Sequence, residues 1–247
     1  MKIISWNILA DAYVRRAYYP KSPDAALDPT KRRALLLQRI ADLQTDVLCL
    51  QEVERSTFDA ITHALAPGFA GYWAQKGGGK PDGCATFVAR GHAVEEVREL
   101  RYSDGSDHVA LIVRVGGLFI ANTHLKWDPP ATPTGARHGL READELLVAL
   151  PERLHGSSAV VCGDFNVTPN DELVALFLAA GFRDAYEAND AAATCVTNGR
   201  ARRIDYLMTS SDLDAQPLSI GALTDEAILP SATEPSDHVP IGVAISR

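Results

Sequence analysis

The 247-residue chain has little of what marks a membrane protein, a disulfide scaffold or a basic nucleic-acid wrapper. No apolar run is long enough to cross a bilayer, which excludes a spanning helix. The four cysteines, Cys49, Cys84, Cys162 and Cys195, form no CxxC pair and no other metal spacing. Thiolate zinc sites are therefore not expected; Cys49 and Cys162, inside apolar runs, read as small buried hydrophobes in a reducing compartment. Basic residues number 24 against 32 acidic ones, a formal charge of −8, which argues against a broad electrostatic surface for nucleic acid. It leaves nucleic acid open as a substrate, because a metal held by carboxylates reverses the sign the substrate meets. Repeats, low-complexity tracts and a linker are also missing. The first apolar run and its asparagine come within seven residues of Met1, so no leader and a cytoplasmic location are expected.

What is present is a pattern. Six runs of apolar, β-prone residues carry a polar tip: Ile3 to Asn7, Val47 to Glu52, Leu118 to His124, Ala159 to Asn166, Arg203 to Met208 and Ser236 to Ile245. The polar group follows the run in the first four and precedes it in the last two. Strand ends can aim side chains rigidly into one shared space. The tips are spread from Asn7 to His238, so one site must collect from the whole length and a single domain, 1–247, is expected.

Between the runs, Asp28-Pro29 reads as a helix cap with proline at the first helical position, followed by a one-sided helix over Thr30 to Leu43. Further helices are expected over Ser56 to Leu65, Leu140 to Leu154 and Asp171 to Ala180, with strands near Ala85 to Ala89 and Val94 to Leu100. His108 to Val115, Gly116-Gly117 and Leu118 to His124 form a hairpin around a two-residue turn. Gln75 to Gly83, with three consecutive glycines, reads as a flexible loop. Hairpin strands interrupted by isolated helices predict two mostly antiparallel sheets packed together with helices outside, an α+β arrangement.

Side chains two apart on a strand share a face, which pairs Asn122 with His124 and Asp164 with Asn166. Glu52 ends a run that looks buried on both sides, and a buried carboxylate must be paired or bind metal. Carboxylate and amide oxygens with histidines, and no thiolate, suit Mg²⁺ or Mn²⁺.

The set Trp6-Asn7, Gln51-Glu52, Asn122-Thr123-His124-Leu125, Gly163-Asp164-Phe165-Asn166, Ile204-Asp205-Tyr206 and Ser236-Asp237-His238 resembles the ordered motifs of the endonuclease/exonuclease/phosphatase superfamily, over the whole chain. The resemblance implies a four-layer α/β/β/α sandwich and a metal-dependent phosphoric ester hydrolase. Asn7-Ile8-Leu9-Ala10-Asp11-Ala12-Tyr13, Gln51-Glu52-Val53-Glu54, Asp82-Gly83-Cys84-Ala85-Thr86-Phe87 and Asn122 to Pro129 look more narrowly like the branch of poly(A) deadenylases, 2′-phosphodiesterase, nocturnin and Angel proteins. That branch implies RNA 3′ ends or nucleotides as substrate; a small phosphorylated metabolite or lipid headgroup is the alternative. By the same resemblance Glu52 and Asp237 would hold a first metal ion with Asn7 beside it. Asp164 and Asn166 would bind or position the attacking water, or hold a second ion. His238 would meet the phosphate or that second ion, with Asp205 fixing its tautomer, and His124 would donate to a phosphoryl oxygen or assist the leaving group. Asn122 and Lys126 are expected to face substrate.

Two departures stand out. The branch places an aromatic residue a few positions before Ile-Asp-Tyr to stack on adenine, and Asn198 to Arg203 has none. Phosphate contact by Arg200, Arg202 and Arg203 is expected in its place. Glu142 stands where the family carries a glutamine. No coiled-coil seam or long apolar edge points to a protein partner, so a monomer is expected.

Overall fold

The structure, a computed structural model, describes residues 1–150, 158–189 and 192–246. In chain order the first strands are β1 (Lys2–Asn7), β2 (Val47–Gln51), β3 (Phe69–Gln75), β4 (Gly83–Ala89), β5 (Val94–Arg101), β6 (Val109–Val115) and β7 (Leu118–His124). They are followed by β8 (Ser158–Asp164), β9 (Phe182–Asp184), β10 (Cys195–Thr197), β11 (Arg200–Arg202), β12 (Asp205–Ser210), β13 (Asp214–Pro217) and β14 (Ile241–Ser246). The helices are α1 (Asp24–Leu27), α2 (Pro29–Asp42), α3 (Arg55–Leu65), α4 (His138–Ala149) and α5 (Glu172–Ala179).

Twelve strands form two six-stranded sheets, ordered β13-β14-β1-β2-β4-β3 and β5-β6-β7-β8-β12-β9, with β10 and β11 as a separate hairpin. Each large sheet has one parallel pair, β1 with β2 and β7 with β8, and is otherwise antiparallel. Ile3, Val47 and Val243 of the first sheet pack on Val113, Ile120, Val160 and Leu207 of the second, forming the core between them. Leu36 and Ile40 of α2 and Ile61 of α3 cover the outer face of the first sheet. Ala143 and Leu146 of α4 with Leu173 and Phe177 of α5 cover the second. The result is the expected α/β/β/α sandwich, in which each sheet is buried on both faces.

Local chemistry sets the elements. Asp28 caps α2 by accepting from the Lys31 backbone N–H at 2.9 Å, with Pro29 at the first turn. Gly116 and Gly117, at φ 54° and 79°, make the tight β6–β7 turn that leaves Val115 opposite Leu118. Of the helix expected over Leu140 to Leu154, α4 starts earlier, at His138, and residues 151–154 lie outside the described residues. Phe69 to Gln75 had no expected element; its half-buried aromatics form the edge strand β3.

The segment read as a flexible loop is pinned in the structure. Gln75 closes β3, and Lys76 and Asp82 are buried and paired to each other at 2.7 Å. The glycines confine their freedom to the tip; the loop's two charged ends are folded inward.

Candidate active site

Strand direction explains why four polar groups follow their runs and two precede them. β7 and β8 are parallel, placing His124 opposite Asp164 at their C-terminal ends. β12 is antiparallel to β8, so its first residue, Asp205, faces Asp164. β14 is antiparallel to β1, so the segment before it returns over the end of β1: Ser236 Oγ donates to the Asn7 carbonyl at 2.7 Å, and Trp6 Nε1 donates to the His238 carbonyl at 2.9 Å. Gly163 lets the two strands close up before the site. A Cβ there would lie 1.8 Å from the Thr123 carbonyl oxygen, at a φ of 142°.

Asn7 is the hub. Its Nδ2 donates to Glu52 Oε1 and to Asp164 Oδ2, both at 3.0 Å, while its Oδ1 accepts from the Leu9 N–H. Glu52 also accepts from the Ala10 N–H at 2.9 Å and adopts a φ of 58° as the chain leaves β2. Asp237 accepts from the Tyr19 hydroxyl at 3.0 Å. Asp164 Oδ1 accepts from the Asn166 N–H at 2.8 Å. Its other oxygen, Oδ2, lies 3.7 Å from His124 Nε2 and 3.7 Å from His238 Nε2. That spacing is too long for direct hydrogen bonds and leaves a polar gap. Behind His238, Asp205 Oδ2 accepts from Nδ1 at 2.8 Å, which directs Nε2 toward the gap.

The electrostatics follow from burial against neighbours. Burial pushes Asp164 up to about 7, with His238 opposing and Asp205 adding to the rise. Burial also raises Glu52, against the pull of the Lys76 ammonium. His124 is held well below its ordinary range by burial and then by Lys76. Burial opposes charge on His238 as well, but Asp205 and Asp164 outweigh it and hold the imidazolium well above its ordinary value.

Three carboxylates, Glu52, Asp164 and Asp237, are thus brought to one place with few cationic partners. Ligand atoms of Asp164, Asp205 and His238 lie within 4.8 Å of one another, and Asp205 Oδ1 is buried without a hydrogen-bond partner among the described residues. A hard, oxygen-rich donor set of clustered carboxylates fits a divalent cation.

Asn7, Glu52, His124, Asp164, Asn166, Asp205, Asp237 and His238 come together as expected; Asn166 Nδ2 reaches both His124 Nε2 at 3.0 Å and the Leu125 carbonyl at 2.9 Å. Asn122 and Arg203 are engaged away from this cluster. Asn122 is fully buried and ties the two sheets: its amide donates to the Leu50 and Ala85 carbonyls and accepts from Gln51. Arg203 is buried, paired with Asp184 and lying 4.9 Å over the Tyr206 ring, so its guanidinium holds the fold in place of substrate. Arg200 and Arg202 are exposed on β11, and Lys126 is half-buried just past His124.

Several site residues had no role expected from the sequence: Tyr13 and Asp82 lie within motifs of the branch resemblance, whereas Lys76 and Arg32 lie outside them. Lys76 Nζ lies 3.4 Å from His124 Nδ1 and bonds Asp82, whose other oxygen accepts from the Tyr13 hydroxyl at 2.7 Å. Arg32, buried, donates to the Ile8 and Pro235 carbonyls and pairs with Asp11, tying the exit of β1 to the Ser236 segment. Glu142, the singled-out departure, is fully buried beneath the site. It accepts from the Lys126 N–H at 2.7 Å and lies 3.5 Å from His108 Nδ1, which in turn meets the His124 carbonyl at 3.0 Å.

The geometry has its counterpart in sequence comparison. Residues 4–238 match the model of the endonuclease/exonuclease/phosphatase family. The chain belongs to that family. It is accordingly a phosphoric ester hydrolase. Among family relatives, the Carbon catabolite repressor protein 4 homolog 4 of Arabidopsis thaliana is 26% identical over 318 residues, covering 98% of this chain and 76% of the relative. Mouse nocturnin is 28% identical over 279 residues, covering 97% of this chain and 64% of that protein. The chain spans only 40% of a Candida albicans CCR4-Not 3′-5′-exoribonuclease subunit that it matches at 26% identity. In fold, ANGEL2 bound to adenosine-2′,3′-vanadate superposes with a TM-score of 0.84 at 21% identity, covering 98% of this chain and 94% of that one. The human nocturnin catalytic domain with bound sulfate gives 0.76 at 25% identity, covering 100% and 93%.

Proposed function

We propose that this family member is a Mg²⁺- or Mn²⁺-dependent phosphoesterase that hydrolyses phosphodiester or phosphomonoester bonds of RNA 3′ ends or nucleotides by in-line attack of water. The observation that carries this is the polar gap around Asp164 Oδ2, flanked at 3.7 Å by two imidazoles and backed by Asn7 and Glu52. Relatives described as a 3′-5′-exoribonuclease subunit and a 2′,3′-cyclic phosphatase favour RNA or nucleotide substrates.

In this reading Glu52 and Asp237, with Asn7 beside them, hold the metal ion, and Asp164 and Asn166 hold either water or a second ion. When bound there, a divalent ion would supply positive charge where negative charge develops on the phosphate. Asp164, with Oδ1 occupied by the Asn166 N–H and its proton affinity raised toward neutrality, accepts a proton from the attacking water. His238, held cationic by Asp205, donates from Nε2 to a non-bridging phosphoryl oxygen. His124 Nε2 borders the same gap, 3.7 Å from Asp164 Oδ2, and is set by Asn166. Positioning and charge neutralisation then provide most of the acceleration.

A small phosphorylated metabolite is the second reading, favoured by the net charge of −8. A panel of oligo(A), 2′,5′-oligoadenylate, 2′,3′-cyclic-ended RNA, a 2′-phosphodinucleotide and an inositol phosphate separates the two. Turnover of an RNA or nucleotide member supports the first; turnover of the inositol phosphate alone would replace it with the second.

A further inference from the structure

Asn7 and Glu52 are held by their own surroundings. Asn7 bonds Glu52, Asp164 and the Leu9 N–H, and Glu52 accepts from Asn7 and the Ala10 N–H. Asp237 is held differently, because it lies in the segment ahead of β14, outside any strand. The backbone there is pinned from several sides. Arg32 donates to the Pro235 carbonyl at 3.1 Å, Ser236 Oγ to the Asn7 carbonyl, the Val196 N–H to the Asp237 carbonyl and Trp6 Nε1 to the His238 carbonyl. The carboxylate itself has one hydrogen-bond partner among the described residues. That partner is the Tyr19 hydroxyl, 3.0 Å from Oδ2 and 218 positions away in sequence.

From the side of Tyr19, the same bond is a loop's single polar tie to the rest of the protein. Residues 14–23 form no helix or strand. Among the described residues, every other hydrogen bond they make stays within residues 11–26. Arg16 braces the loop from inside, donating to the Tyr19 carbonyl at 3.1 Å and to the Ser22 carbonyl at 2.6 Å. Arg15, Arg16 and Lys21 are exposed, while Tyr19 turns inward and is buried.

We propose that Tyr19 is a positioning residue for the metal centre: its hydroxyl orients the Asp237 carboxylate for the ion and couples the docking of residues 14–23 to metal binding. The proposal rests on the metal-dependent reading above. A ligating carboxylate loses affinity when the group that orients it is removed, because its alignment must then be found at the moment of binding. The coupling is reciprocal. If the docked loop tightens the ion, the ion tightens the loop by the same factor. Tyr19 touches neither substrate nor ion in this role.

The test titrates the full chain with Mn²⁺, read from the electron paramagnetic resonance signal of the free ion. Tyr19→Phe keeps the ring and removes only the hydroxyl; its Kd for Mn²⁺ is expected to rise about tenfold with circular dichroism unchanged. Tyr18→Phe, at the exposed neighbour, should bind as the wild type does. Saturating Mn²⁺ should slow tryptic cleavage after Arg15, Arg16 and Lys21 by about tenfold in the wild type, and should not slow it in Tyr19→Phe. Wild-type affinity in Tyr19→Phe, an equal loss in Tyr18→Phe, or protection that survives Tyr19→Phe overturns the assignment. So does cleavage of the wild-type loop that the ion leaves unchanged, a result that needs no variant to fold. No Mn²⁺ binding by the wild type overturns the metal-dependent reading instead.

Discussion

His124 and His238 flank Asp164 Oδ2 at the same 3.7 Å, yet their far nitrogens meet groups of opposite charge. Behind His238 stands the Asp205 carboxylate at 2.8 Å; behind His124 stands the Lys76 ammonium at 3.4 Å. Both rings are buried, so burial alone would hold both neutral. The partner on the remote nitrogen decides otherwise, raising His238 and depressing His124 further. Two identical side chains in one pocket are thereby held in different charge states, and in the proposed mechanism the raised one, His238, is the cation that meets phosphoryl oxygen.

The contrast can be broken from either side. The largest effect is expected from His238→Ala, which removes the cation itself and should lower kcat by about a thousandfold or more with the fold intact by circular dichroism. Near-wild-type turnover would remove His238 from the chemistry. Asp205→Asn keeps the shape of the orienting group but withdraws its charge, and should cost about a hundredfold in kcat with little change in KM. If the loss fell on KM alone, Asp205 would be acting on substrate binding and not through His238.

On the other side, Lys76→Met leaves Asp82 buried without its partner, so both stability and activity should fall, stability by about 3 kcal/mol. The double substitution Lys76→Met/Asp82→Leu should recover stability without recovering kcat, which should remain about tenfold down. Recovery of both in the double variant would make the pair purely structural.

The smallest effect on turnover is expected at Glu142, beneath His124. Burial raises its carboxyl from an ordinary 4.5 to about 8, so the folded state keeps a proton that the unfolded chain releases above 4.5. Stability from this group is therefore full below about 4.5 and falls as pH rises toward 8. Glu142→Gln, which mimics the neutral acid, should track wild-type kcat at pH 6. Its stability advantage should grow between pH 5 and 8.5 by on the order of a few kcal/mol. Thermal unfolding curves of the two proteins that shift in parallel with pH would show Glu142 to be ionised in the fold.

Most of the pocket was legible because strand ends are written locally. An apolar run with a polar tip declares both the element and the direction in which its last side chain is aimed, and the order of the tips carried the family resemblance. Hairpin strands and isolated helices predicted two packed sheets with helices outside, and the resemblance implied the four-layer sandwich. What escaped were residues whose role depends on loops folding back. Lys76 and Asp82 sit in a glycine-rich stretch that reads as a flexible loop, and Tyr19 lies over two hundred positions from the Asp237 it binds. Asn122 and Arg203 misled for the converse reason. A buried polar residue beside a catalytic motif looks like site chemistry, but it equally serves to satisfy carbonyls between sheets or to pair a buried aspartate.

The central claim is that these converging strand ends work as a metal-dependent hydrolase, and one titration addresses it directly. Protein stripped with EDTA is assayed on bis-p-nitrophenyl phosphate, then supplied with Mg²⁺ or Mn²⁺, alongside Asp164→Ala handled identically. Stripped wild-type protein should be silent and regain turnover with either ion, while Asp164→Ala stays silent throughout. Turnover in the stripped protein, or metal-restored turnover in Asp164→Ala near the wild-type rate, would contradict the account.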